Sequence, residues 1–134
     1  MNAETPQTPA PVMGLYDRPM WDSIRERKMR LQRGKVSGTW LYPPGPGTPG
    51  GEELEWTPIS GNGTILSWVI FHRQYLPAYP APYNVIAVRL DEGPTIISNL
   101  EGKTPEGNWI GRRVKLVYAD MPDGAVLPRF TLAE

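Results

Sequence analysis

The sequence predicts a mainly β protein, a small antiparallel barrel or sandwich with one short helix before it. Sixteen prolines and fourteen glycines among 134 residues disfavour a helical bundle. From residue 55 onward, short segments rich in β-branched and aromatic residues alternate with turn sequences. No helical pattern separates these segments, so the strands are predicted to be joined by short turns.

The first 33 residues predict a tail and a helix. Residues 1–15 are rich in proline and poor in large apolar side chains, which is typical of a disordered tail. Residues 16–33 predict the helix, because Asp17 is placed to cap it and Pro19 suits its first turn. The end of this segment could already be extended, since Met29 and Leu31 alternate with charged residues.

Residues 57–134 predict a barrel of five or six strands. The strand patterns cover 55–60, 64–75, 83–90, 94–100, 112–120 and 125–133. The 64–75 segment is long enough to bend across two halves of a barrel. Glycine-rich turns precede and follow several of these segments, beginning with the Gly-Asn-Gly of residues 61–63. The three prolines in residues 76–82 have no backbone N–H to donate to a neighbouring strand, so a loop is predicted there.

The composition excludes several classes of protein. Fourteen basic and fourteen acidic residues cancel, so no overall field favours nucleic acid or an acidic substrate. The absence of cysteine excludes disulfides, thiolate metal sites and a cysteine nucleophile. No apolar run approaches the roughly 18 residues of a spanning helix, and no signal-peptide pattern opens the chain. We expect a single-domain cytoplasmic protein.

No catalytic motif is present. The chain lacks the nucleophile-elbow, zinc-protease and phosphate-loop sequences. His72 is the only histidine, and it could act as a general base only with a carboxylate or nucleophile beside it in space. A structural or substrate-contacting role fits it better. An enzyme that uses His72 with an acidic residue stays open as an alternative.

A basic run and many aromatic residues raise a second alternative. Residues 25–35 hold six Lys or Arg against one Glu, which indicates either a solvated face or a patch that meets phosphates. A barrel with exposed aromatic residues and such a patch could bind single-stranded nucleic acid. Cations in residues 57–134 are scattered among acids, however, and form no dense basic groove.

The order of these parts resembles a known family of small proteins. A short helix, a knuckle-like stretch with Tyr-Pro-Pro, and the segments 61–73, 82–93 and 110–120 follow one another as in that family. Its members join a rubredoxin-like zinc ribbon to an acyl-CoA-associated OB-fold. The resemblance covers about residues 16–133 and implies a ribbon segment at 34–56 and an OB-fold barrel at 57–134.

The resemblance also implies that the ribbon has lost its metal. The family pattern is Gln-Arg-Cys-x-x-Cys-Gly, an aromatic residue, Pro-Pro and a second Cys-x-x-Cys. The matching residues here are Gln32, Arg33, Gly38, Tyr42, Pro43 and Pro44. The four ligand positions fall on Gly34, Ser37, Gly47 and Gly50, which cannot supply four thiolates. We therefore expect no zinc, and a ribbon held by packing or by a partner, because structural zinc supplies on the order of 10 kcal/mol in such knuckles.

Members of this family are generally non-catalytic companions of thiolase-like enzymes or hot-dog-fold hydratases. The resemblance implies an accessory subunit of a hetero-oligomer, without activity of its own, that helps to hold an acyl-CoA bound by its partner. A coenzyme A thioester is then the expected shared ligand, with no tightly bound cofactor. From strand and loop position, the residues expected at the ligand or partner surface are Trp68, His72, Arg73, Tyr75, Tyr79 and Tyr83.

Overall fold

The computed structural model describes residue 9 and residues 11–133. These form one helix, α1 (Arg18–Arg25), and eight strands. The strands are β1 (Arg30–Gly34), β2 (Trp40–Leu41), β3 (Leu54–Pro58), β4 (Asn62–Phe71), β5 (Tyr83–Leu90), β6 (Thr95–Ser98), β7 (Arg113–Asp120) and β8 (Val126–Leu132). Most of the predicted tail, at residues 1–8 and 10, lies outside the described residues.

Five strands form a curled antiparallel sheet in the order β6-β5-β4-β7-β8. Strand β4 pairs with β7 through its first three residues and with β5 along almost its whole length, with a register shift between Ile65 and Ser67. Strand β4 thus connects β5 on one side of the sheet to β7 on the other. A parallel bridge between Leu100 and Phe130 joins the end of the β6 segment to β8, which draws the two edges of the sheet together.

The predicted fold class is confirmed: the chain is mainly β, with an OB-fold preceded by one short helix. The curled sheet has five strands, the lower of the two predicted numbers. Strand β3, which was counted among the barrel strands, pairs with β1 in a separate three-stranded sheet of order β2-β1-β3. This second sheet spans the segment predicted as a degenerate ribbon.

The helix is shorter than the predicted 16–33, and the end of that segment is extended, which was the stated alternative. The helix ends at Arg25, and Arg27 then adopts a left-handed φ of 60°. The Ser23 hydroxyl donates to the Met20 carbonyl and accepts the Arg30 amide at 3.0 Å, which holds the turn between α1 and β1. Strand β1 follows because Leu31 is fully buried opposite Thr57 of β3.

The hydrophobic core joins the helix, the small sheet and the barrel. Its fully buried members are the aliphatic residues and phenylalanine that face the inside of each element: Ile24, Leu31, Ile65, Ile86, Val88, Leu90, Val114 and Phe130. Glycine is required at position 63, because a Cβ there would lie 2.6 Å from Val88 Cγ1 and 2.8 Å from the Arg89 carbonyl oxygen. In the described part of the chain, no helix has the length and apolar character that crossing a bilayer requires.

Candidate functional site

Gly34 and Ser37, the first pair of positions where the family has zinc ligands, lie next to a carboxylate. Glu52 Oε1 accepts the backbone amides of Val36 at 3.1 Å and Ser37 at 3.0 Å. A Cβ placed on Gly34 would lie 2.1 Å from this oxygen and 2.7 Å from Ser37 Oγ. The bonds from Ser37 and Val36 lower the pKa of the Glu52 carboxyl. The Glu52 side chain therefore fills the space next to Gly34 that a cysteine would need.

The residues at the ribbon do not fit a zinc ion. Three of the four ligand positions are glycines, and a Cβ at Gly47 or Gly50 would meet no atom within 4 Å. Among the described residues, no three His, Cys, Asp or Glu side chains come together in a way that could hold a metal. The donors that remain are a single hydroxyl and a carboxylate already engaged by backbone amides, which is a poor set for Zn²⁺.

Other contacts hold the ribbon in place. The Gln32 amide group makes two hydrogen bonds of 2.9 Å with the backbone of Gly45, one as donor and one as acceptor. The Arg33 guanidinium lies 5.1 Å from the centre of the Trp40 ring and donates to the Gly38 carbonyl. Two residues of the family motif thus fasten the turn and the loop that follow β1.

We expect Glu52→Gln to loosen the first knuckle at neutral pH. The substitution removes the charge that strengthens the two amide bonds, so the amides of Val36 and Ser37 should exchange hydrogen faster. Because folding lowers the pKa of Glu52, its contribution is complete above the unfolded value of about 4.3 and is lost as pH falls through the folded value. The difference between wild type and variant should therefore vanish in acid. Hydrogen exchange measured by NMR tests this.

Glu53→Gln is the matched control, since Glu53 is exposed and its side chain pairs with Lys35 at 2.9 Å. Equal exchange at Val36 and Ser37 in the two variants would contradict the role given to Glu52.

An exposed apolar surface lies on the outer face of the barrel. Residues that pair across antiparallel strands share a face, so Val69 lies beside Val85, and Phe71 beside Tyr83. Ile97 pairs with Ala87, two residues from Val85 on the same face of β5. The loop after β4 adds Tyr75, which meets Phe71 edge-on at 6.0 Å, and Leu76. We name as the outer patch Val69, Phe71, Tyr75, Leu76, Tyr83, Val85 and Ile97.

Much of the outer patch is open to solvent. The exposed fractions are 50% for Val69, 66% for Ile97 and 59% for Tyr75. Phe71 and Tyr83 stack at 5.1 Å, and Tyr79 approaches Tyr83 at 6.0 Å, which continues the aromatic surface into the loop. Contiguous exposed apolar surface of this kind marks an interaction site on a protein.

The structure brings together four of the six predicted surface residues and separates two. Tyr75, Tyr79 and Tyr83 form one aromatic group, and the Arg73 guanidinium lies 5.3 Å from the Tyr75 ring centre. Trp68 alternates with Val69 and lies on the core side of β4, where it stacks on buried Trp109 at 4.5 Å. Trp68 therefore does not share this surface.

His72 follows the last residue of β4 and is exposed. Among the described residues it forms no hydrogen bond and no ion pair, so the arrangement supplies no acid–base partner for it. The strand that was predicted to run to residue 75 ends at Phe71, so His72 lies in the loop after β4.

Two adjoining clefts open at the outer patch, whose residues form part of their walls, and both are lined by Tyr79, Tyr83, Asn99 and Arg129. Their volumes are about 320 and 370 Å³. The Asn84 side chain accepts the Leu100 amide at 2.6 Å and donates to the Leu100 carbonyl at 2.9 Å, which fixes one wall. Sequence patterns missed Arg129, because a cation in an edge strand is ordinarily solvated.

In the part of the chain that the structure describes, three of the six cations in the basic run are engaged by other residues. Arg27 pairs with Asp120 and donates to the Tyr118 carbonyl, and Lys35 pairs with Glu53. Arg33 is engaged with Trp40. The run is divided between α1, the following turn and β1. This division favours the solvated-face interpretation over a nucleic-acid surface.

Similar proteins share both the sequence and the fold. Residues 56–119 match the family described as ChsH2, C-terminal OB-fold domain. A DUF35 domain-containing scaffold protein of Pyrococcus furiosus is 34% identical over 103 residues, which cover 72% of this chain and 74% of that protein. The chain belongs to the DUF35 family.

Two curated relatives of this DUF35 chain are subunits of larger size. A probable enoyl-CoA hydratase alpha subunit of Thermomonospora curvata is 31% identical over 117 residues, which cover 85% of the chain and 37% of the relative. The 3-oxo-4,17-pregnadiene-20-carboxyl-CoA hydratase alpha subunit of Mycobacterium tuberculosis is 30% identical over 105 residues, which cover 77% of the chain and 33% of that relative. The chain thus spans about a third of the length of these two relatives.

A solved structure supports the same assignment. A chain of the Ltp2-ChsH2(DUF35) aldolase superposes with a TM-score of 0.84 at 28% identity, and the match covers 93% of this chain and all of the other. The similarity extends beyond the barrel to the helix and the small sheet, since it covers nearly the whole DUF35 chain.

Proposed function

We propose that this DUF35 chain is a non-catalytic accessory subunit that docks on an acyl-CoA enzyme and helps to hold its substrate. The partner is a thiolase-like subunit (an acyltransferase, thiolase or retro-aldolase) or a hot-dog-fold hydratase. The ligand that the two share is a coenzyme A thioester. The chain works in the cytoplasm and has no activity alone.

The outer patch is the observation that carries this proposal. It exposes aliphatic and aromatic side chains from three adjacent strands and one loop, and it borders two clefts of ligand size. A protein interface uses such aromatic and aliphatic anchors at its centre, with polar residues around them. Relatives of the chain are described as hydratase alpha subunits, a scaffold protein and part of an aldolase, which supports a companion role.

Co-purification tests the proposal. The tagged chain, expressed at natural level in its own host, should bring down one thiolase-like or hydratase subunit in a fixed ratio. That subunit, expressed without the chain, should be insoluble or should lose most of its turnover of an acyl-CoA. If the chain emerges alone and the neighbouring enzyme is fully active without it, the proposal fails.

The metal content of the purified chain gives an independent prediction. We expect less than stoichiometric zinc, because the four ligand positions supply one hydroxyl and no thiolate. Elemental analysis by mass spectrometry measures it, and a four-cysteine family member purified in parallel provides the positive control. One zinc per chain that survives dialysis against a chelator would contradict the prediction.

A further inference from the structure

The first of two short turns in the ribbon is closed around an anion. We call residues 34–39 the first knuckle, in which the Gly34 carbonyl accepts the Gly38 amide at 2.9 Å. This turn directs two successive backbone amides to the Glu52 carboxylate, at 3.1 and 3.0 Å. Successive N–H groups of a turn form a concavity that binds anions. In this chain a side chain of the protein itself occupies that concavity.

The carboxylate comes from the end of the second turn of the ribbon, residues 47–51, which we call the second knuckle. The Gly51 amide donates to the Thr48 carbonyl at 2.9 Å, and Gly51 has a left-handed φ of 73°. Glu52 follows directly, so its side chain links the second knuckle to the first. In a ribbon with four cysteines, one zinc ion bound by two thiolates from each knuckle makes the same connection.

Gly34 is the position that makes room for the carboxylate. A Cβ there would lie 2.5 Å from Glu52 Cδ and 2.7 Å from Ser37 Oγ. The φ of Gly34 lies outside the left-handed region, so a residue with a Cβ could adopt this backbone conformation. A Cβ at Gly47 or Gly50, in contrast, would meet open space. Glycine is therefore required at position 34 by the carboxylate and not by the course of the backbone.

We propose that Glu52 takes the place of a metal ion in this ribbon, and that Gly34 and Glu52 act as one unit. The carboxylate supplies the negative charge that thiolates would present to the amides of the first knuckle, and its side chain connects the two knuckles. The bonds from Ser37 and Val36 lower the pKa of the Glu52 carboxyl, in agreement with a bound anion. The inference concerns the architecture of this chain alone and does not depend on the proposed partner or ligand.

A double-mutant cycle on Gly34 and Glu52 tests the coupling. Gly34→Ala should displace the carboxylate, and Glu52→Ala removes it. Each should raise the hydrogen-exchange rates of the Val36 and Ser37 amides about fivefold, the scale expected when charged hydrogen bonds are lost at an exposed site. The double variant should exchange no faster than either single variant, because both changes remove the same interaction. NMR measures the exchange, and unchanged amides in the barrel show that each variant is folded.

Gly47→Ala is the matched control. It adds the same methyl group to the second knuckle, at a position where no atom lies within 4 Å of the new Cβ. The exchange of the Val36 and Ser37 amides should therefore stay as in wild type. A fivefold rise in this variant would show that the ribbon responds to any added methyl group, and the proposal would fail.

The second knuckle distinguishes a connection between two turns from a cap on one of them. If Glu52 joins the knuckles, Gly34→Ala in the first should also lower the NMR order parameters of the amides at residues 47–51 in the second. A response confined to the first knuckle would mean that Glu52 caps a single turn and does not replace a metal. Additive effects in the cycle, or faster exchange in the wild-type ribbon after a chelator is added, would also overturn the proposal.

Discussion

Replacement of Val69 and Ile97 by glutamate should abolish co-purification of the chain with its enzyme subunit. Both side chains are at least half exposed in the free chain and lie on the outer face of adjoining β4, β5 and β6. A carboxylate buried without a partner in an apolar interface is strongly unfavourable, and loss of two central anchors should weaken docking about 100-fold or more. Thermal unfolding of the free chain should change little, because neither residue belongs to the core.

The control is the double variant Val12→Glu/Leu15→Glu. It introduces the same two charges at residues that are 93% and 82% exposed, before α1 and outside the outer patch. It should co-purify as wild type does. Retained binding in the Val69/Ile97 variant, with an unchanged subunit ratio, would place the docking surface elsewhere on the molecule.

Phe130→Ala should remove much of the stability of the chain. The Phe130 side chain is completely buried at the point where β8 meets the residue 99–101 segment. Its backbone accepts the Glu101 amide at 2.7 Å and donates to the Asn99 carbonyl at 3.1 Å, so the cavity would open beneath the closure of the barrel. Such a substitution costs about 3–5 kcal/mol, against a usual total of roughly 5–15 kcal/mol.

Phe71→Ala is the matched control, because Phe71 is the other of the two phenylalanines and is only half-buried, on the outer face. Urea denaturation followed by tryptophan fluorescence measures both variants. We expect a clearly smaller loss at Phe71. Equal losses would mean that the contact between β8 and residues 99–101 is not central to the core.

The sequence predicted the elements that local chemistry decides. Strand β5 begins and ends where its β-branched pattern does, and the three prolines of residues 76–82 make the predicted loop. The helix end was predicted less well. It depends on the Ser23 hydroxyl, which meets Arg30 seven residues on, and on a left-handed Arg27, a position where sequence patterns anticipate glycine.

The candidate site was predicted in part. The tyrosines flanking the proline-rich loop were named because such a loop stays at the surface, and they do form one group. Trp68 was misplaced, since alternation along β4 does not tell which face meets the core when both faces carry apolar residues. Val69 and Ile97 join the site only through their pairing with β5.

By itself, the sequence determined that this chain is a small β protein without cysteine and with an aromatic, proline-rich loop. Composition, turn residues and missing thiols are local properties, so a single chain displays them directly. Only the tertiary structure decided that Glu52 fills the space beside Gly34 and that Arg129 is buried next to two tyrosines. Both depend on contacts between residues distant in the chain, which local sequence patterns do not display.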